Sequence, residues 1–482
     1  MWKKKAAPDQ EPFLPQKSKQ EWVTNALAFA AGAAAGSLGL MVAGRKIAGS
    51  MIRRATKILM TDEYSENLLE LYSASMRAGL LNIGEANLRS STGTTILRPL
   101  GSPKKVPDFS GLMFDFAQLA TLPTQMHVPI AMETVIGPKA KKPLRIDIPI
   151  IIAGMGYGWA LSEKAKVALA LGASAVGTAT NTGMGPWLES ERKAADKLIF
   201  QYNRGDWSKR PEVYQASDAI EIQLGQGAAA SSGMQIMPDH LDPRLRQRFE
   251  LGPSEALVNH ARQPGMHRPE DLAPLVQMLR EQSGGVPIGV KLAAGQQLEK
   301  DLHVAVQAGV DFISLDGCNA ATKGSPPILQ DDFGLPTLYA LVRASRWFEQ
   351  QRLKGKVTLI VSGGLKTPGD YLKALALGAD VVAIGTMALF AITHTQVTHA
   401  IPYEPPTQAV WYKGKAIQLY DPTMGGCALA KYLQSCTEEM AFAVRVLGLT
   451  SIQEVDKRCL FALDPATAEI CDVPLGYETP KN

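Results

Sequence analysis

The sequence predicts an α/β protein built as a (β/α)8 TIM barrel, with an N-terminal helical extension that is a transmembrane candidate and a C-terminal helical extension. From about Asp147 onward, eight short β-branched runs alternate with stretches whose apolar positions recur at helical spacing. Most of these runs end in glycine or polar residues, as the catalytic face of such a barrel requires. The competing architecture, a doubly wound open sheet, calls for a GxGxxG turn after its first strand, and none stands there.

The expected strands are Ile148–Gly154, Ala175–Asn181, Leu198–Tyr202, Ala219–Leu224, Val286–Leu292, Val310–Leu315, Val357–Ser362 and Val381–Ile384. Amphipathic helices are expected over Ser162–Leu171, Glu270–Gln282, Leu298–Gln307, Leu338–Gln351 and Gly369–Leu377. A barrel of this type needs about 250 residues, so 482 residues hold one barrel with additions. The expected organisation is a polar tail (1–22), a candidate transmembrane helix (23–44), a helical connector (45–107), the barrel with its pre-barrel segment (108–440) and a C-terminal extension (441–482).

A formal net charge of +4 from 50 basic and 46 acidic residues is too thin for a nucleic-acid-binding surface. Hydrophobic residues at 46% support a sizeable core and exclude global disorder. Five cysteines at irregular spacing describe neither a disulfide framework nor a zinc site, which fits a reducing compartment.

Val23–Gly44 carries no charge, and a bilayer-spanning helix needs about 20 apolar residues. Trp22 before it, and Arg45, Lys46, Arg53, Arg54 and Lys57 after it, resemble an interfacial anchor and a cytoplasmic basic flank. Lysines on the N-terminal side weaken that orientation, and the Gly32 to Gly36 spacing suits close helix–helix approach. An Ala-rich helix packed in an oligomer and an export signal are the alternatives.

Strand ends carry the candidate chemistry. The first ends in Gly154-Met155-Gly156, the second in Asn181-Thr182-Gly183, and the fourth in Gln223-Leu224-Gly225-Gln226-Gly227. The fifth carries Lys291, the sixth ends in Asp316-Gly317-Cys318-Asn319, the seventh in Ser362-Gly363-Gly364, and the eighth in Gly385-Thr386. Glycines after the last two strands let backbone N–H groups approach a phosphate. Lys291 points its cation toward the mouth, where it would stabilise developing negative charge. Asn181 and Gln223 could read the edge of a planar ring.

With these motifs the chain resembles the FMN-binding synthase domain of the glutamate synthase family, in a stand-alone form. The resemblance runs from about Asp108 to Leu463 through Thr134–Ala140, Lys142-Pro143-Leu144, Ile148-Pro149-Ile150, Gly154-Met155, Ala160-Leu161-Ser162, Asn181-Thr182-Gly183, Gln226-Gly227-Ala228, Asp316-Gly317, Gly363–Thr367 and Gly385-Thr386. It implies FMN held at the barrel mouth by Gly154, Met155, Gly156, Asn181, Thr182, Gln223, Lys291, Asp316, Gly317, Ser362, Gly363, Gly364, Gly385 and Thr386. Lys291 and Gln226 are the expected catalytic groups, with Cys318 and Asn319, at the sixth strand end, expected toward the substrate.

There are departures. Met184 stands where glutamate-forming members carry an acid, and Gln223 and Ala229 stand where they carry lysines, which puts dicarboxylate recognition in doubt. The segment from Phe390 to Trp411 lacks the cluster cysteines, so a 3Fe-4S cluster is not expected there; His394 and His399 read as structural. Cys427 and Cys436 read as buried thiols, and Cys318 as a packing residue without an evident base. No nucleophilic cysteine opens the chain, so it is not expected to release ammonia from glutamine.

The expected activity is therefore an FMN-dependent oxidoreductase acting on an amino-acid-like, imine or carbonyl substrate, either on CH–NH2 donors or in reductive amination. Electrons would come from a separate ferredoxin-like protein, a quinone or a reductase subunit. The membrane would hold the chain by its N-terminal helix with the barrel in the cytoplasm, possibly as a homo-oligomer. The alternative is a degenerate flavin-binding scaffold subunit anchored to the membrane. Lys291→Ala is expected to weaken flavin reduction more than fold stability.

Overall fold

The computed structural model describes residues 42–64, 67, 69–401 and 406–478. These fall in two units, residues 1–94 and 95–482. In the first, residues 42–61 are helical, and the helices Leu69–Ala78 and Leu80–Thr92 follow. Gly79, at φ +79°, separates the latter two, a conformation in which other residues are strained. Among the described residues no helix is long and apolar enough to cross a membrane. The candidate segment 23–44 lies outside the described residues except for its last three positions.

In the larger unit eight parallel strands form the expected barrel: β1 Ile150–Ile152, β2 Thr180–Asn181, β3 Leu198–Tyr202, β4 Ala219–Gln223, β5 Ile288–Ala293, β6 Phe312–Asp316, β7 Thr358–Ser362 and β8 Val381–Ile384. They pair in sequence order from β2 round to β8, and β8 pairs with β1. The Ile152 amide donates to the Ala179 carbonyl at 3.0 Å, closing the ring between β1 and β2. Several strands are shorter than the hydrophobic runs suggest. Gly154 lies beyond the β1 ladder, and Gly177 (φ +66°) turns the chain into β2.

Helices cover the outside: α1 Glu163–Ser174, α2 Glu189–Ala194, α3 Pro211–Gln215, α4 Leu272–Gln282, α5 Leu298–Gln307, α6 Thr337–Gln350, α7 Pro368–Ala376 and α8 Thr386–Thr393. The α7 start is fixed by a capping box, in which Thr367 and Asp370 satisfy each other's backbone amides. A further helix, α9 Pro422–Val446, lies against α1. Gly172 of α1 is there because a β-carbon would meet the Leu429 side chain at 2.7 Å. The boundary expected at residue 440 thus falls inside a helix. The chain beyond it returns to the barrel unit, where Leu460–Ala462 pairs antiparallel with Leu112–Phe114.

Two apolar layers hold the barrel. Outward-facing strand residues pack against the helices, whereas Ile151, Ala179, Ile199, Ala219, Phe312, Ile360 and Val381 fill the lumen. The hairpin Thr134–Ile136/Leu144–Ile146 adds Ile136, Leu144 and Ile146 to that inner cluster. The Thr134–Ala140 motif therefore contributes to the barrel core rather than to its mouth. Toward the strands' C-terminal ends the inward positions turn polar: Asn181, Gln201, Glu221, Lys291, Ser314, Asp316 and Ser362, all buried. That change of character locates the site.

Candidate active site

A cavity of about 1140 Å3 opens over this polar layer. Gly154, Met155, Gly156, Gln226, Lys291, Asp316, Cys318, Asn319, Ser362, Gly363, Gly364, Gly385 and Thr386 all line it. Asn181, Thr182, Gln223 and Gly317, expected at the cofactor, are not among its lining residues. Gln223 bonds the lining residue Gln226, and the Gly317 amide donates to the carbonyl of the lining residue Ser362.

At one end the β7 and β8 termini build an anion cradle. Gly363 (φ +114°) and Gly364 (φ +72°) adopt conformations that L side chains rarely reach. A β-carbon on Gly363 would also meet Thr337 Oγ1 at 2.7 Å and the Ala320 amide nitrogen at 3.0 Å. Gly385 precedes α8, whose first residues Thr386 and Met387 line the same cavity.

In the centre, Lys291 Nζ lies 2.9 Å from Asp316 Oδ1. Burial disfavours the Lys291 charge, but the carboxylates of Asp316 and Glu221 outweigh it and hold the ammonium above its ordinary range. Asp316 is fully engaged. Its Oδ2 accepts the Gly227 amide at 3.1 Å, and the Ser362 hydroxyl bonds to Oδ1. Lys291 therefore arrives paired, not as the free cation that the sequence suggests.

Glu221 and Gln201 were missed by sequence reasoning. Asn181 Nδ2 and Gln201 Nε2 donate to Glu221 Oε1 at 3.0 and 2.8 Å. Period-two alternation back from Gln223 would have placed Glu221 on the inward face. Asn181 Oδ1 also accepts the Gly183 amide at 2.8 Å, so its amide stays inside the protein instead of reading a ring edge.

Gln226 sits on a constrained loop. Ala228 (φ +61°) and Ala230 (φ +50°) are both left-handed, at roughly 1–2 kcal/mol each, a strain that gathers at functional positions. Gln226 Oε1 accepts from Gln223 Nε2 at 3.1 Å. The Gln223 Oε1 is buried without a protein partner.

Cys318 and Asn319, expected toward the substrate, both line the cavity. Asn319 Oδ1 accepts the backbone amide and hydroxyl of Thr337, at 2.9 and 3.1 Å, tying the β6 loop to the start of α6. Burial raises the Cys318 thiol above its ordinary value, with a backbone hydrogen bond and Lys104 opposing. Cys436 is buried and pushed up to about 11, whereas Cys427, read as buried from the sequence, is exposed. Among the described residues no group of three or more His, Cys, Asp or Glu could hold a metal ion.

Residues 103–401 match the conserved region in glutamate synthase. The chain belongs to the glutamate synthase family. A glutamate synthase large subunit-like protein of Rhizobium meliloti is 33% identical over 413 residues, which is 82% of this chain and 93% of the relative. An archaeal-type glutamate synthase (NADPH) of Dehalococcoides mccartyi is 30% identical, covering 63% of this chain and 64% of that protein. The archaeal glutamate synthase (NADPH) of Methanocaldococcus jannaschii is 26% identical over 76% of this chain and 78% of its own. Among solved structures, the flavin-binding domain of baker's yeast flavocytochrome b2 covers 78% of this chain and 83% of its own, at 17% identity and a TM-score of 0.47. That likeness is too distant to bear on the chemistry. The glutamate synthase-like barrel thus has its expected family, with the polar layer and the glycine cradle on one face.

Proposed function

We propose that this glutamate synthase-like chain is a flavin-dependent oxidoreductase that holds FMN across the barrel mouth and acts on an amino-acid-like, imine or carbonyl substrate. The observation that carries the reading is the cradle at Gly363, Gly364 and Gly385, in one cavity with the buried Lys291–Asp316 pair. The cradle suits a phosphate, because side chains are excluded at Gly363 and Gly364 and α8 begins just after Gly385. The volume suits a cofactor with a substrate beside it.

When bound, the flavin supplies hydride and electron transfer. The chain's own groups do the rest. Lys291 holds positive charge near the ring, Asp316 and Glu221 fix where that charge sits, and Gln226 offers its amide to the substrate. The electron donor is proposed to be separate, a ferredoxin-like protein, a quinone or a reductase subunit, because the sequence has no nicotinamide-binding turn. Segment 23–44 is proposed to anchor the barrel at the cytoplasmic side of a membrane. The test is anaerobic: the chemically reduced flavin-loaded chain is mixed with 2-oxo acids plus ammonium. Reoxidation by a member of that set is expected. Full flavin occupancy with no reoxidation by any of them would favour a flavin-binding scaffold.

A further inference from the structure

Resting on the flavin reading, we propose that Lys323 is a specificity-determining residue whose ammonium holds a carboxylate of the substrate at the barrel mouth. Lys323 stands in the loop after β6, and its Nζ lies 5.5 Å from the centroid of the Trp411 ring. Both residues line the cavity. Trp411 is fastened to the loop after β1: it is bridged to Leu161, and the Tyr412 amide donates to the Ala160 carbonyl at 2.8 Å. Because β7 and β8 stand between β6 and β1 in the ring, the contact joins two loops that are not neighbours. The backbone that carries Lys323 is braced on both sides. The Leu100 amide donates to the Thr322 carbonyl at 2.8 Å, and the Arg98 amide to the Ser325 carbonyl at 3.0 Å.

Neighbouring cations are already engaged. Lys291 pairs with Asp316 and Lys104 with Asp332, while Lys413, just beyond Trp411, donates to the His240 carbonyl and lies 3.9 Å from Asp242. Among the described residues no carboxylate pairs with Lys323. Desolvation holds its ammonium below the ordinary range, and Lys413 adds to that shift. The Trp411 face offsets only part of the cost, since an aromatic quadrupole is a weaker partner for an ammonium than a carboxylate is. A substrate carboxylate would supply the missing negative charge. The cofactor's phosphate does not need this lysine, because the cradle after β7 and β8 has its own cation in Lys366, two residues beyond Gly364. Lys105, which also lines the cavity, lies over no ring among the described residues and serves as a control.

The test uses the full chain loaded with flavin, whose visible spectrum reports a ligand near the ring. Pyruvate with pyruvamide, and 4-methyl-2-oxopentanoate with its amide, form two pairs that differ in charge and little in size. In each pair the carboxylate is expected to perturb the spectrum at concentrations about tenfold below those of the amide. Lys323→Gln should remove that preference, whereas Lys323→Arg and Lys105→Gln should keep it, with flavin affinity equal in all four chains. Equal response to acid and amide in the wild-type chain, no response to either, or a preference retained in Lys323→Gln would overturn the inference. Weakened flavin binding in Lys323→Gln would overturn it too, by placing the ammonium on the cofactor. A wild-type chain that takes up no flavin would instead fail the reading on which it rests.

Discussion

Lys291 Nζ and Asp316 Oδ1, 2.9 Å apart at the adjacent ends of β5 and β6, give the barrel mouth a cation that is neutralised before a ligand arrives. Lys291→Ala is expected to weaken flavin reduction more than fold stability, and this pairing adds a stability cost to it. Removing the lysine leaves Asp316 buried and uncompensated, which costs about 3–5 kcal/mol. Denaturant unfolding of Lys291→Met should show that loss, and Lys291→Met with Asp316→Asn should recover much of it. Flavin reduction should stay impaired in both.

Glu221 adds a second negative charge facing Lys291. Glu221→Gln keeps the shape and removes the charge, so an anionic reduced flavin becomes easier to form. Its reduction potential should rise by on the order of 30 mV, equivalent to about 1.4 kcal/mol for a two-electron couple. Spectroelectrochemical titration reads this directly. An unchanged potential would mean that Glu221 only holds Asn181 and Gln201.

Gly363→Ala forces an L side chain to φ +114° and against Thr337 and the Ala320 amide. Flavin content after purification should fall to a small fraction of wild type. The thermal midpoint should move less, because the strain falls on the loop rather than on the core. Retained full occupancy would remove Gly363 from the phosphate cradle.

Asp380, away from the cavity lining, supplies the pH dependence. Burial pushes its carboxyl up to about 6, although the Leu359 amide and Lys354 oppose the shift. The folded state therefore holds this proton more tightly than the unfolded chain does. Its contribution makes stability fall as pH rises from about 4 to about 6, by at most about 3 kcal/mol. Asp380→Asn should be more stable than wild type at pH 7, with that part of the slope gone. Unfolding free energies across the window check it.

Strand and helix positions were legible because hydrophobic period and glycine-ended runs act locally; Leu298–Gln307 is found with its expected bounds. The cavity lining was legible where backbone demanded glycine, as at Gly363 and Gly364. Partnerships were not, because they join distant strands. Nothing in the spacing of residues 181, 201 and 221 shows that Asn181 and Gln201 share one Glu221 oxygen. Nor does the spacing show that Asn319, which lines the cavity, bonds Thr337, 18 residues on.

The central claim, a flavin seated over the Lys291 layer, is tested most directly by the visible absorption spectrum of the detergent-purified full chain. Release and mass identification of any chromophore complete the measurement. The account predicts the two visible bands of an oxidised flavin, released as FMN at close to one per chain, and their loss in Gly363→Ala. A colourless wild-type protein that also refuses added FMN would contradict it.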